Sequence, residues 1–421
     1  MTFVPLRPLL LGLLLGMFCI SHCAGYSVLT HETIVDAAWE QDIVPVLLRR
    51  FPNASPEELH EAHAYAYGGA IVQDLGYYPF GSKFFSDLTH YVRSGDFVQA
   101  LIEESQDLNE YAFALGALSH YAADNAGHEI ATNRAVPMLY PKLAKKYGQV
   151  ITYQQKPSAH MKVEFGFDVD QVAKGHYAPK AYRDFVGFEV SKRLLERAFA
   201  KTYSIEMSSI FRREDRAIGS YRHAVSTVIP RMTKVAWHLN RREIEQGDPS
   251  ETKTKFIYNI SNTSYRTQWG DVYEKRDFFS RLKALILRLV PKVGPFSGLD
   301  VRAPTPAVEK LYMESVNTTL DHYRALLVAQ KEGRMQLPNQ NLDTGAETAA
   351  AIYILTDEAY AELLKKTSGQ TISDSLRHDL LVYYADLDKP FATKRNSKEW
   401  HDLTTELDAL KVTPAGDLPH R

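Results

Sequence analysis

The chain has 421 residues, of which 45% are hydrophobic and 24% are charged, and its formal net charge is −2. The length allows one large domain or two ordinary ones, and the apolar content is ample for a packed core. The near-neutral charge excludes a strongly basic protein that binds nucleic acid or anionic membranes through its bulk charge.

Residues 1–25 are typical of a cleaved secretory signal. Arg7 is their only formal charge, and residues 9–20 form an apolar run that is too short to span a bilayer. We therefore expect a secreted or periplasmic protein. Both cysteines, Cys19 and Cys23, lie in this segment, so the mature chain would have neither a disulfide nor a thiolate metal ligand. Any metal would have to bind His, Asp and Glu.

Helical patterns follow the signal. Thr30 is the predicted N-cap of a first helix, which carries His31 in its first turn. Ser55 caps a further helix that has proline at its first position. Glycines and a proline between residues 68 and 81 then interrupt the helical period, so Asp74 falls at a helix end that opens into an aromatic loop. Two more helices are predicted over residues 85–92, which include His90, and 96–104.

The next helix ends in the motif His120-Tyr-Ala-Ala-Asp124-Asn-Ala-Gly-His128. Residues four apart share a helix face, with about 5–6 Å between their Cβ atoms, so His120 and Asp124 direct a nitrogen and an oxygen to one point. Such a pair either binds a divalent metal such as zinc or forms a hydrogen-bonded pair in the core. His128 is rotated by roughly 80° from His120 and is better placed for a neighbouring ion. His160 and Glu164 repeat the four-residue spacing.

The rest of the chain also has helical patterns and no convincing alternating strand. Helices are predicted over residues 182–202, 216–246, 307–331, 346–366, 372–388 and 397–411. The sequence therefore predicts an all-α protein with an amino-terminal domain over 26–247, an irregular and amphipathic linker over 248–306, and a helical extension over 307–421. Within the linker, Phe278 to Val290 forms an apolar face flanked by basic residues, which suits either a membrane interface or packing against the first domain.

The candidate ligands occur in an order that is typical of one family. The ordered set is Tyr26, His31, Asp74, His90, His120, Asp124, His128, His160 and Glu164. It resembles the zinc-dependent phospholipase C family, including the amino-terminal domain of glycosylphosphatidylinositol-specific phospholipase D, and more distantly the P1-type single-strand nucleases. The resemblance covers residues 26–245 and implies a multi-helical phospholipase C/P1-nuclease-like domain that hydrolyses the head-group phosphodiester of a phospholipid.

The resemblance also implies three zinc ions. One would be held by Asp74, His90, His120 and Asp124. A second, with open positions for water or substrate, would be held by His128, His160 and Glu164. The third would be held by His31, by a bridging Asp124, and by the amino nitrogen and carbonyl oxygen of Tyr26 after cleavage behind Gly25. Asp74 would in addition orient or deprotonate the water that attacks phosphorus in line.

Two departures from the family pattern leave alternatives open. The first mature residue is Tyr26 where the family usually has tryptophan. The spacing from Asp124 to His128 is shorter than in the secreted bacterial phospholipases C and matches the phospholipase D-like branch, so the bond that is cleaved stays open. A P1-like nuclease or nucleotidase, with nucleic acid as its partner, is one alternative, and a non-catalytic helical protein stabilised by zinc is another. Manganese or iron could replace zinc in a carboxylate-rich site.

The aromatic loop after Asp74 allows two interpretations. Tyr77, Tyr78 and Phe80 could wall a substrate pocket and hold a choline head group by cation–π contact. They could equally pack within their own loop. With a lipid as the substrate, peripheral contact with a membrane is also expected.

Overall fold

The computed structural model describes residues 27–173, 187–225 and 302–412. The helices are α1 (Val28–Ala38), α2 (Val44–Arg50), α3 (Pro56–Gly69), α4 (Lys83–Tyr91), α5 (Ser94–Glu104), α6 (Leu108–Ala126), α7 (Asn133–Leu139), α8 (Pro141–Tyr147), α9 (Pro157–Ala173), α10 (Lys192–Tyr203), α11 (Glu214–His223), α12 (Pro306–Glu332), α13 (Ile354–Thr367), α14 (Asp374–Tyr383) and α15 (Ser397–Val412). Short 3₁₀ helices cover Val72–Tyr77, Met207–Ser209 and Ala392–Arg395. The described ranges contain no β-strand, and Gln340 and Glu347 form an isolated antiparallel bridge. The all-α prediction is therefore confirmed.

Helix α6 lies at the centre of the fold, and its residues from Glu110 to Ala126 are all buried. Asp107 caps its start by accepting a hydrogen bond from the backbone N–H of Glu110. Helix α3 crosses α6 at backbone contact distance, since a Cβ added to Gly116 would lie 2.1 Å from the carbonyl oxygen of Ala66. A Cβ added to Gly69 would likewise lie 2.0 Å from the carbonyl oxygen of Phe113. Glycine at these two positions is what allows the helices to approach so closely.

The predicted start of α3 is confirmed. The Ser55 side chain accepts a hydrogen bond from the Glu58 N–H, and the Glu58 side chain accepts one from the Ser55 N–H, which completes a capping box.

The prediction that Thr30 caps the first helix is wrong. Helix α1 begins at Val28, and its first turn is capped by Asp168, whose carboxylate accepts hydrogen bonds from the N–H groups of residues 29 and 30 at 3.0 and 3.2 Å. A carboxylate from α9 thus takes the place of a local cap.

Two predicted helices begin later than expected. Residues 187–191 are not helical: the N–H of Glu189 donates to the carbonyl of Ala64 on α3, and α10 starts only at Lys192. Residues 182–186 lie outside the described ranges. In the carboxyl-terminal part, α13 starts at Ile354 because the N–H of Thr348 donates to the carbonyl of Asn339. Backbone pairing across a loop replaces helical hydrogen bonds in both places.

The carboxyl-terminal helices pack onto the amino-terminal ones. The Tyr323 hydroxyl on α12 donates to the carbonyl of Leu115 in the middle of α6 at 2.9 Å. Val308 and Leu327 of α12 belong to the same apolar core as the buried residues of α6. Residue 247, the predicted domain boundary, lies outside the described residues, as do the signal segment and the predicted helix over 278–290. The division into domains stays a prediction, but residues on both sides of the linker share one core.

None of the helices in the described ranges is long and apolar enough to cross a membrane.

Candidate metal centre

Eight of the nine predicted ligands lie in the described part of the chain, and all eight are buried. They come from four α-helices, a 3₁₀ helix and a π-helical segment: His31 on α1, Asp74 in the 3₁₀ helix Val72–Tyr77, His90 on α4, His120 and Asp124 on α6, His128 in the π-helix Gly127–Thr132, and His160 and Glu164 on α9. The ninth, Tyr26, lies outside the described residues. The structure brings the eight together as two groups.

The first group is formed by His90, His120, Asp74 and Asp124. The Nε2 atoms of His90 and His120 lie 3.4 Å apart. Asp124 Oδ2 is 3.2 Å from His120 Nε2 and 3.4 Å from His90 Nε2, and Asp74 Oδ1 is also 3.4 Å from His90 Nε2. These atoms therefore converge on one small volume between α4 and α6.

Asp124 extends this group towards α1. Its second oxygen, Oδ1, lies 3.5 Å from His31 Nε2. The His31 ring stacks on the His120 ring, with 4.4 Å between the centroids and 10° between the planes. Asp124 is thus the one carboxylate that contacts three of the predicted imidazole ligands in the described structure, which is the geometry of a bridge between two ions.

The second group is formed by His128, His160 and Glu164. Glu164 Oε1 lies 3.5 Å from His128 Nε2 and 3.5 Å from His160 Nδ1. The four-residue spacing on α9 places His160 and Glu164 together, and the turn that follows α6 adds His128 from the opposite side.

Four of the five candidate imidazole ligands, those of His90, His120, His128 and His160, are oriented from behind by a backbone carbonyl. His90 Nδ1 donates to Ser86 at 2.7 Å, and His120 Nδ1 donates to Ala70 at 2.9 Å. In the second group the carbonyls of Ile151 and Leu342 accept from His160 Nε2 and His128 Nδ1 at 2.7 and 2.8 Å. Hydrogen bonds of this kind fix the tautomer of a histidine and leave the other nitrogen free to bind a metal.

The residues fit zinc. A tetrahedral ion with bonds of about 2.0–2.1 Å holds its ligand atoms roughly 3.3–3.4 Å apart. The seven separations between candidate ligand atoms given above are 3.2–3.5 Å. The carboxylate oxygens of Asp74, Asp124 and Glu164 are buried and have no hydrogen-bond partner among the described residues. Buried carboxylates without hydrogen bonds are costly unless a cation compensates them.

In the first group, the imidazoles and the carboxylates shift the pKa values of one another. Burial, followed by the neighbouring His120, lowers the pKa of His31 to about 3. Burial also disfavours charge on His90, but contacts with Asp124 and Asp74 outweigh it and raise the pKa of His90 to about 10. Desolvation likewise acts on Asp124, yet His120 and His90 hold its pKa well below the usual range. A divalent cation binding here would replace protons on the imidazoles.

The aromatic loop packs against both groups. Tyr77 is buried, and its ring centroid lies 6.0 Å from that of His90 in the first group. It also lies 6.3 Å from the ring of Tyr153. The Tyr153 ring in turn lies 6.0 Å from that of His160 in the second group. Phe80 is instead 59% exposed. Packing within the fold therefore accounts for Tyr77, and the role of the loop as a choline pocket stays a prediction.

Sequence reasoning missed the contribution of the carboxyl-terminal part. Leu342, whose carbonyl orients His128, lies 214 positions away from it in the chain. Its neighbour Asp343 places one ligand atom within 4.8 Å of ligand atoms of His128 and His160. No spacing in the sequence could indicate this contact, because the loop carries no histidine and Leu342 lies 214 positions from His128.

Comparisons with known proteins agree with this geometry. Residues 30–213 match the model of a family described as zinc-dependent phospholipase C. The match spans all eight described ligands but not Asp343. Neither the comparison with curated proteins nor the comparison with solved structures gave a significant match. The resemblance to the zinc-dependent phospholipase C family that the ordered ligand set predicted is therefore confirmed over residues 30–213.

Proposed function

We propose that this protein is an exported, zinc-dependent phosphodiesterase that hydrolyses the head-group phosphodiester of phospholipids at a site of three zinc ions. The observation that carries the proposal is the pair of imidazole–carboxylate groups, with ligand atoms 3.2–3.5 Å apart, inside a domain of the zinc-dependent phospholipase C family.

The ligands divide among the three ions as follows. Asp74, His90, His120 and Asp124 would hold one ion, and His128, His160 and Glu164 would hold a second. His31, Asp124 and the amino-terminal residue Tyr26 would hold the third once the signal is removed. On this proposal, export and metal loading are coupled.

Zinc at such a site neutralises the charge of a bound phosphodiester and lowers the pKa of water. The chain's own residues provide the rest. The backbone carbonyls behind His90, His120, His128 and His160 each accept a hydrogen bond from one ring nitrogen and so orient the other nitrogen towards the metal. The buried carboxylate of Asp74, which lies 3.4 Å from His90 Nε2, would orient the attacking water and accept its proton.

Replacement of Asp74 by Asn tests this last role. We expect kcat to fall by about 10²–10⁴-fold, because the amide is nearly isosteric but cannot accept the proton. The measurement is kcat beside zinc content, which separates the loss of a base from the loss of a ligand. Asp87→Asn is the matched control, because this carboxylate lies on α4 and pairs with the exposed Lys83. Full activity in Asp74→Asn would remove the proposed role.

The proposed function is tested on the mature chain that starts at Tyr26, beside a version with one additional residue before it. We expect about three zinc ions per chain in the first and about two in the second, because the extra residue removes the terminal chelate. Both proteins are then assayed on phosphatidylcholine and phosphatidylinositol vesicles and on single-stranded DNA. Hydrolysis of a phospholipid supports the proposal. Hydrolysis of DNA alone would identify a nuclease, and zinc binding without any hydrolysis would identify a structural metal.

A further inference from the structure

The loop over residues 339–348, which lies outside the family-matching segment, folds back onto the metal centre. The N–H of Leu342 donates to the carbonyl of His90 at 3.0 Å, and the carbonyl of the same residue accepts from His128 Nδ1 at 2.8 Å. Gln340 accepts hydrogen bonds from Tyr121 and Asn125, both on α6. One loop therefore contacts the two chain segments that carry ligands of different groups.

Asp343 follows directly in this loop, and its carboxylate is held at one side only. Oδ2 accepts hydrogen bonds from the N–H of Tyr153 at 2.9 Å and from the hydroxyl of Tyr353. The backbone of Asp343 is fixed as well, since its N–H donates to Asn341 and its carbonyl accepts from Asn133. The orientation of the carboxylate is therefore determined before any ligand binds.

The other oxygen, Oδ1, is buried without a hydrogen-bond partner among the described residues. The residue as a whole is only 1% exposed. Oδ1 lies 3.8 Å from His128 Nδ1, which is too far for a hydrogen bond, and that nitrogen already donates to Leu342. A carboxylate oxygen in this position needs a cation to offset the cost of its burial.

We propose that Asp343 is a fourth protein ligand of the zinc ion at His128, His160 and Glu164, bound through Oδ1. Its ligand atom lies within 4.8 Å of those of His128 and His160, and with Glu164 it would balance both charges of a divalent ion. This site would then have four protein ligands, the same number as the site formed by Asp74, His90, His120 and Asp124. The carboxyl-terminal part would complete the metal centre from outside the family-matching segment. The inference rests on the proposed function, because it concerns one of the zinc ions that this function requires.

The first test is the zinc content and zinc affinity of Asp343→Asn. The asparagine amide can be oriented in two ways. If its NH₂ group replaces Oδ2, the acceptor for Tyr153 and Tyr353 is lost. If its NH₂ group replaces Oδ1, N–H groups face the metal. We expect about one zinc per chain to be lost on dialysis, or a fall in affinity at one site by at least about 10–100-fold. Tyr353→Phe is the matched control, because it removes a hydrogen bond from Oδ2 and leaves Oδ1 unchanged, so its zinc content should equal that of the wild type.

The second test uses the wild-type protein and does not depend on how the variant folds. A crystal of the zinc-loaded protein, with anomalous data at the zinc edge, gives the distance from the ion at His128 to Asp343 Oδ1. A distance of about 2.0–2.2 Å supports the proposal. A separation beyond ligand range, or unchanged zinc binding in Asp343→Asn, would overturn it. Absence of zinc from the wild type would instead contradict the proposed function itself, so the two failures are distinguishable.

Discussion

Replacement of Asp124 by Asn is expected to lower kcat for phosphodiester hydrolysis at least about 10³-fold, which corresponds to ~4 kcal/mol of transition-state stabilisation. The reason is the position of this carboxylate. Oδ2 lies 3.2 and 3.4 Å from the Nε2 atoms of His120 and His90, and Oδ1 lies 3.5 Å from that of His31. An amide offers only one oxygen, so it cannot serve two ions at once, and its N–H group would face one of them.

The experiment on Asp124 measures zinc content, kcat and the free energy of unfolding on the same preparations. We expect the variant to lose zinc from both sites that share this residue, while the ion at His128 and His160 remains. Asp357→Asn is the matched control. Asp357 is equally buried, but its carboxylate accepts hydrogen bonds from the N–H groups of Ala351 and Ala392, so the control should lose stability and keep its zinc. Wild-type zinc content in Asp124→Asn would contradict the bridging role.

Replacement of Gly116 by Ala is expected to destabilise the fold by about 3 kcal/mol, the upper part of the usual range for overpacking. The added Cβ would lie 2.1 Å from the backbone carbonyl oxygen of Ala66, and backbone on both sides leaves no side chain that could rotate away. The two helices would have to separate. Since the carbonyl of Ala70, which follows α3, orients His120, weaker zinc binding should accompany the loss of stability.

The measurement for Gly116 is denaturant unfolding of the metal-free protein, followed by zinc titration. Gly219→Ala is the matched control, because no heavy atom lies within 4 Å of a Cβ built at Gly219 on α11. Alanine is the better helix former, so this control should be stabilised by up to ~1 kcal/mol. If Gly116→Ala were as stable as the wild type, the close crossing of α3 and α6 would be wrong.

The ligand pairs within one helix could be predicted from the sequence. His120 with Asp124, and His160 with Glu164, are brought together by helical periodicity alone, and the structure places each pair 3.2–3.5 Å apart. The capping box at Ser55 was equally accessible, because both of its partners lie within one turn. Interactions over three or four residues depend on local backbone geometry, which the residue types themselves favour.

Contacts between distant segments could not be predicted in this way. Asp168 caps α1 across 138–139 positions, and local propensity favoured Thr30 for that role. The later starts of α10 and α13 have the same cause, since Glu189 and Thr348 pair with backbone groups far along the chain or across a loop. Each of these choices depends on which groups become neighbours only after the helices have packed.

The sequence by itself determined the helical class, the ordered set of eight candidate ligands that the structure describes, and the resemblance of residues 30–213 to zinc-dependent phospholipases C. Only the tertiary structure decided which candidate ligands lie together, which backbone carbonyls orient the imidazoles, and that the loop with Leu342 and Asp343 reaches the candidate metal centre. The physical reason is how far apart the interacting residues lie along the chain. Helical periodicity fixes neighbours one turn apart, whereas burial in a common core brings together residues more than two hundred positions apart, such as His128 and Leu342.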